Sequence, residues 1–82
     1  MKIEHLVTMA NQIGDFFKSF PDQEQAKQDI AQHLIRFWAS SMRDQILAHV
    51  IENNGEGLEP IVCDAIKVHI NSNHTHSSFS GN

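Results

Sequence analysis

Cys63 and the six histidines are the side chains of this 82-residue chain best suited to covalent or metal chemistry. A nucleophilic site would pair the Cys63 thiolate with a base such as His33, His49 or His69, because the thiolate rather than the thiol attacks. A lone cysteine on an apolar helix face is more often a small packing residue, and no convergent set of polar groups accompanies this one. Asp29 and His33 stand four residues apart on one helix face, a spacing that could hold an ion. Without a second such pair, a surface hydrogen bond or charge contact is the better reading. His74-Thr75-His76 offers only weak capture of stray divalent metal. Gly55-Glu56-Gly57 has the glycines of a phosphate-cradling loop, but no strand precedes it, and Glu52, Glu56 and Glu59 surround it with charge that repels phosphate. The chain is therefore expected to hold no catalytic residue, cofactor or metal ligand set of its own.

The elements that would position these residues are helices. Tyrosine is absent, only two prolines occur, and no alternating Val/Thr-rich run or hairpin dipeptide supports a strand. The pattern predicts an all-α domain over residues 2–70, built of three to four short amphipathic helices, with residues 71–82 as a polar, disordered tail. Helix one should end near Ser19 or Phe20, because Pro21 disfavours helical geometry in the residue before it. Asp22 should cap helix two, with Gln25 in the reciprocal position, and Ala26, Ile30, Leu34, Phe37 and Trp38 form its apolar stripe. Ala39-Ser40-Ser41 suggests a break, with Ser41 and Asp44 as a second capping pair, although one kinked helix from Gln23 to Asn53 is the alternative. Helix three carries Met42, Ile46, Leu47, Val50 and Ile51 and stops at Asn53-Asn54-Gly55, whose residues tolerate a left-handed cap. Pro60 opens helix four through Ile61, Val62, Ala65, Ile66 and Ile70.

Helix one carries the strongest signal. At about 100° per residue, Phe16, Met9, Phe20, Ile13, Leu6, Phe17, Ala10, Ile3, Gly14 and Val7 fall in that order on one arc about 180° wide. That is more apolar surface than a small domain needs to cover its own core. Gly14, in the helix interior, costs roughly 1 kcal/mol relative to alanine, and a close approach by another backbone would explain it. Asn11 is a second poor helix-interior residue. Trp38, Arg36 and Arg43 belong to the residue types that dominate binding hot spots, although core packing suits Trp38 better and a nearby carboxylate is an equal alternative partner for Arg43.

Composition narrows the partners. Net charge is −4, with ten carboxylates against four lysines and two arginines spread singly, so no basic patch or recognition helix exists for nucleic acid. No apolar run is long enough to cross a bilayer, and no basic start is followed by an uninterrupted apolar stretch. One cysteine allows no intrachain disulfide, so the expected setting is a soluble protein of the reducing cytoplasm.

Several segments resemble one known family in order and spacing: Leu6-Val7 with Met9-Ala10-Asn11-Gln12-Ile13-Gly14 and Phe16-Phe17, then Phe20-Pro21-Asp22, His33-Leu34 with Phe37-Trp38, Met42-Arg43, and Gly57-Leu58 with Pro60-Ile61-Val62 and Ala65. The family is the delta subunit of soluble NAD-dependent formate dehydrogenases, and the resemblance runs from about Ile3 to Ile70. It departs at Ala39-Ser40-Ser41, where the family usually has a proline and an arginine. The resemblance implies a non-catalytic accessory subunit. Its partners would carry molybdenum or tungsten bound to a bis-pterin guanine dinucleotide, iron–sulfur clusters, FMN and NAD. This chain lacks the roughly four cysteines that a cluster needs and shows no dinucleotide fingerprint.

The expected interaction is docking on the catalytic alpha subunit through Met9, Ile13, Gly14, Phe16, Phe20, Trp38 and Arg43, with the Phe16 and Phe20 edge of helix one the portion that a partner buries. The competing reading is self-association into a helical dimer or tetramer, as an interaction module unrelated to formate metabolism.

Overall fold

The computed structural model describes residues 2–70, so expectations for the tail, including His74, His76 and Phe79, lie outside the described residues. Four α-helices follow in order: α1 Ile3–Phe17, α2 Gln23–Phe37, α3 Ser40–Asn53 and α4 Pro60–Ala65, the last running on as a π-helical segment, Ile66–Ile70. Among the described residues there is no strand, and no helix is long and apolar enough to cross a membrane. The all-α expectation holds.

α1 lies against α2, α3 and α4, and its inward residues Leu6 and Ala10 are fully buried. Ile30 and Leu34 of α2, Ile46 of α3, Val62 of α4 and Ile66 of the π segment complete the solvent-free centre. The middle of the α1 arc thus serves the chain's own core. Phe16 at its edge stays 67% exposed.

α1 stops at Phe17, short of the expected Ser19 or Phe20. The Gln23 side chain satisfies the freed carbonyls from beyond the turn, its Nε2 donating to the Lys18 and Phe20 carbonyls at 2.9 and 2.8 Å. Asp22 caps α2 as expected, its carboxylate accepting the Gln25 N–H at 3.1 Å. Gln25 does not reciprocate: its side chain donates instead to Asp29 one turn on, at 3.0 Å.

The α2–α3 junction is a true break. Trp38 and Ala39 both have extended backbone, with ψ of 143° and 150°, which rules out one kinked helix. α3 starts at Ser40 with Ala39 in the cap position and no side-chain cap, so the expected Ser41–Asp44 pair does not form. Phe37 and Ile51 also depart from expectation, being 71% and 59% exposed rather than in the core. Trp38, freed from helical geometry at the end of α2, takes the core position, and Phe37 is left outside it.

α3 closes on Asn54 in the left-handed region (φ 58°), followed by Gly55 at φ 67°. The Gly55 N–H reaches back six residues to the His49 carbonyl at 3.2 Å, closing the helix end in the manner of a Schellman turn. Pro60 occupies the first turn of α4, as its missing N–H and fixed φ favour.

Candidate protein-docking groove

Between α1 and α2 lies an open groove of about 500 Å³, lined by Met9, Gln12, Ile13, Phe16 and Phe17 from α1, His33 from α2, and Trp38. Helical spacing brings the α1 residues together: positions 9, 13 and 16 are successive turns of one face, and 12 lies beside them. Trp38, only 7% exposed, forms the floor, and Phe16 forms the rim. At one end Phe16, Phe17 and Phe20 make an aromatic cluster with centroids 4.9 Å (16–17), 5.3 Å (17–20) and 6.1 Å (16–20) apart. On the α2 side the His33 ring lies against Phe37, 4.8 Å between centroids, which extends the apolar surface past the groove.

Of the expected interface residues, Met9, Ile13, Phe16 and Trp38 line this groove, and partly buried Phe20 stacks beside it. Gly14 and Arg43 do not belong to it. Gly14 is buried against α4 of the same chain, where an added Cβ would overlap the Val62 Cγ2 methyl, so its close approach is internal. Among the described residues, Arg43 pairs with no carboxylate, and it does not line the groove. Its Nη1 donates to the Ile35 and Trp38 carbonyls at 2.8 and 3.0 Å, holding the end of α2 and with it the groove floor.

The sequence puts Phe17 within the arc without marking it as an interface residue, offers His33 as a base, an ion ligand or, preferably, a surface contact of Asp29, and puts Phe37 in the core; the structure brings Phe17 and His33 to the groove and leaves Phe37 exposed beside it. Gln12 is a lining residue outside the expected interface set. A helix-wheel reading places it next to Met9 and Phe16, and that adjacency was the available signal.

Cys63, His49 and Asp29 are engaged elsewhere. Cys63 is partly buried and its thiol points to the Asn54 carbonyl at 3.9 Å. His49 donates from Nε2 to the Glu56 carbonyl at 2.7 Å, at the edge of a second concavity of about 360 Å³ formed with Ile3, Val7 and Gly57. Asp29 is taken by Gln25, while His33 faces the groove. Among the described residues, no three His, Cys, Asp or Glu side chains gather as a metal-ligand set.

Charge clusters at the far side of α1, away from the lining. Lys18 Nζ lies 2.9 Å from Asp15 and 3.7 Å from Glu59. Hydrogen bonding to Lys18 holds the Asp15 carboxyl below its ordinary value, and the hydrogen bond to Asp15 raises that of Glu59. The groove lining itself contains no carboxylate, ammonium or guanidinium group.

Comparison with known proteins gives one family. The model of the NADH-dependent formate dehydrogenase delta subunit, FdsD, matches residues 5–66. No curated protein and no solved structure matches the chain. The matched span runs from the first turn of α1 to the end of α4, and so takes in both walls and the floor of the groove. The chain belongs to the FdsD family of formate dehydrogenase delta subunits.

Proposed function

We propose that the chain is a non-catalytic subunit of a cytoplasmic NAD-dependent formate dehydrogenase, which docks through the α1–α2 groove on the catalytic alpha subunit and supports its assembly, cofactor insertion or stability. The observation that carries this reading is the rim of the groove: Phe16 stands 67% exposed beside a lining of Met9, Ile13, Phe17 and Trp38. Large aromatic side chains left in water at the edge of an apolar concavity are the usual anchors of a protein interface. Family membership supplies the complex in which that interface would be buried.

In this reading the molybdenum or tungsten pterin, the iron–sulfur clusters, FMN and NAD sit in the other subunits. The residues present do not fit a cluster: the chain has one cysteine, against the four thiolates that a cluster usually requires.

The test is co-expression with the alpha subunit and co-purification of wild type against Phe16→Asp and Phe37→Asp. Both positions are more than half exposed, so a charge there leaves the core intact. Loss of association in a folded variant supports the proposal, and undiminished association of both rejects the surface. Light scattering on the isolated chain addresses the competing reading. A stable dimer disrupted by the same substitutions would assign the groove to self-association.

A further inference from the structure

The groove restricts what can occupy it. The polar groups of its lining are the side chains of Gln12 and His33 and the indole N–H of Trp38, and none is a carboxylate, ammonium or guanidinium group. An extended segment would bring a row of backbone N–H and C=O groups into this apolar surface, where these few groups cannot replace the water that each backbone group gives up. Strand addition is closed as well, because both walls are helices whose backbone groups are already bonded internally. A helix satisfies its own backbone and presents only side chains. A charged group on the docked face would be desolvated with only the Gln12 amide and the His33 imidazole to meet it. The charges of Lys18, Asp15 and Glu59 lie on the far side of α1 and pair with one another, outside the lining.

We infer that the groove receives one amphipathic helix of the catalytic subunit, laid apolar side down, with no charged side chain on the docked face. Its aliphatic or aromatic anchors recur every three to four residues and fill the space between Phe16 and His33, and a neutral polar group meets Gln12. This rests on the proposed docking to the catalytic subunit and specifies the segment of that subunit which docks.

The experiment is photocrosslinking in the co-expressed complex, with p-benzoylphenylalanine placed separately at exposed positions 16 and 37 and the linked peptides sequenced. The expected peptide comes from the catalytic subunit. Lysine scanning along it should then weaken association about tenfold or more at positions spaced three and four apart, and little between them. Sensitivity at every second position, or a docked face already carrying charge, overturns the inference while leaving the docking proposal in place. A linked peptide from a second copy of the chain, or from its own residues 71–82, overturns it too, as does an intact complex with no link from either position. Failure of the two subunits to co-purify at all instead defeats the docking proposal itself.

Discussion

The side-chain amide of Asn11 grips the α3–α4 loop on either side of Leu58, its Nδ2 donating to the Gly57 carbonyl and its Oδ1 accepting the Glu59 N–H, both at 2.9 Å. These bonds join positions 46 and 48 residues apart and satisfy the backbone at the entry of α4, where helix N–H groups have no internal partner. A residue that looks like a poor choice for a helix interior is thus a tertiary clamp. Asn11→Ala should cost about 1–2 kcal/mol in urea unfolding and expose the Glu59 amide to faster hydrogen exchange. Asn11→Asp keeps the acceptor but turns an anionic oxygen on the Gly57 carbonyl, and should also destabilise at neutral pH. Unchanged protection of the Glu59 amide in the alanine variant would show that the clamp is dispensable.

Gly14→Ala separates two opposing effects. Helix propensity alone favours the alanine by roughly 1 kcal/mol, yet the new Cβ meets the fully buried Val62 side chain, and overpacking of that kind costs about 1–3 kcal/mol. Packing should win, giving a less stable protein. In a double-mutant cycle, Gly14→Ala with Val62→Ala should be more stable than the sum of the single changes, because the smaller residue removes the overlap. Strict additivity would place the cost elsewhere.

Most of the fold could be read from the sequence, because its helices obey the period of their apolar residues and carry recognisable stops at Pro21 and Asn54-Gly55 and a start at Pro60. What could not be read depends on contacts between distant residues. The Asn11 clamp and the Gly14 contact require knowing where α4 crosses α1. The exposure of Phe37, expected in the core together with Trp38, depended on one ψ angle, at Trp38, that no periodicity specifies. The groove was half visible for the same reason. Its α1 wall is one helical face and follows from the wheel, whereas His33 joins it, with Phe37 beside it, only through the way α2 packs.

The carboxyl pair at the α1–α4 contact should titrate in opposite directions. Asp15, held by Lys18, should lose its proton below the ordinary aspartate range, and Glu59, hydrogen-bonded to Asp15, above the ordinary glutamate value of 4.5. For Asp15 the folded chain binds its proton more weakly than the unfolded chain, so its contribution is present above the ordinary aspartate value and fades as pH falls through its own lowered one. For Glu59 the sign reverses, and stability gains as pH falls from its raised value towards 4.5. Carboxyl NMR titration checks both. Asp15→Asn should return Glu59 towards its ordinary value, and Lys18→Met should raise Asp15.

Arg43 should act on the groove without touching what binds there. Its guanidinium holds the Ile35 and Trp38 carbonyls, so Arg43→Met removes charge-assisted hydrogen bonds of the kind worth about 1.5–3 kcal/mol, towards the low end because the site is only partly buried. Trp38 is the only tryptophan, which makes its fluorescence a direct report on the groove floor. The expected result is a red-shifted emission and lower stability, with Arg43→Lys recovering part of each. An unshifted emission in a destabilised Arg43→Met protein would detach Arg43 from the floor.

Phe16 and Trp38 line the same groove but should fail in different ways. Phe16 is 67% exposed, so replacing it changes little that folding buries, and Phe16→Asp should stay within about 0.5 kcal/mol of wild type. Trp38 is 7% exposed and joins the core cluster with Leu34 and Ile46, so Trp38→Ala should cost about 3–5 kcal/mol through the cavity it leaves. In a domain of this size each kcal/mol moves the melting temperature by about 4–8 °C. Thermal unfolding of the two variants, run beside co-purification with the catalytic subunit, therefore divides fold from docking: Phe16→Asp should keep its melting temperature and lose the partner. A large drop in melting temperature for Phe16→Asp would mean that the rim is part of the chain's own core.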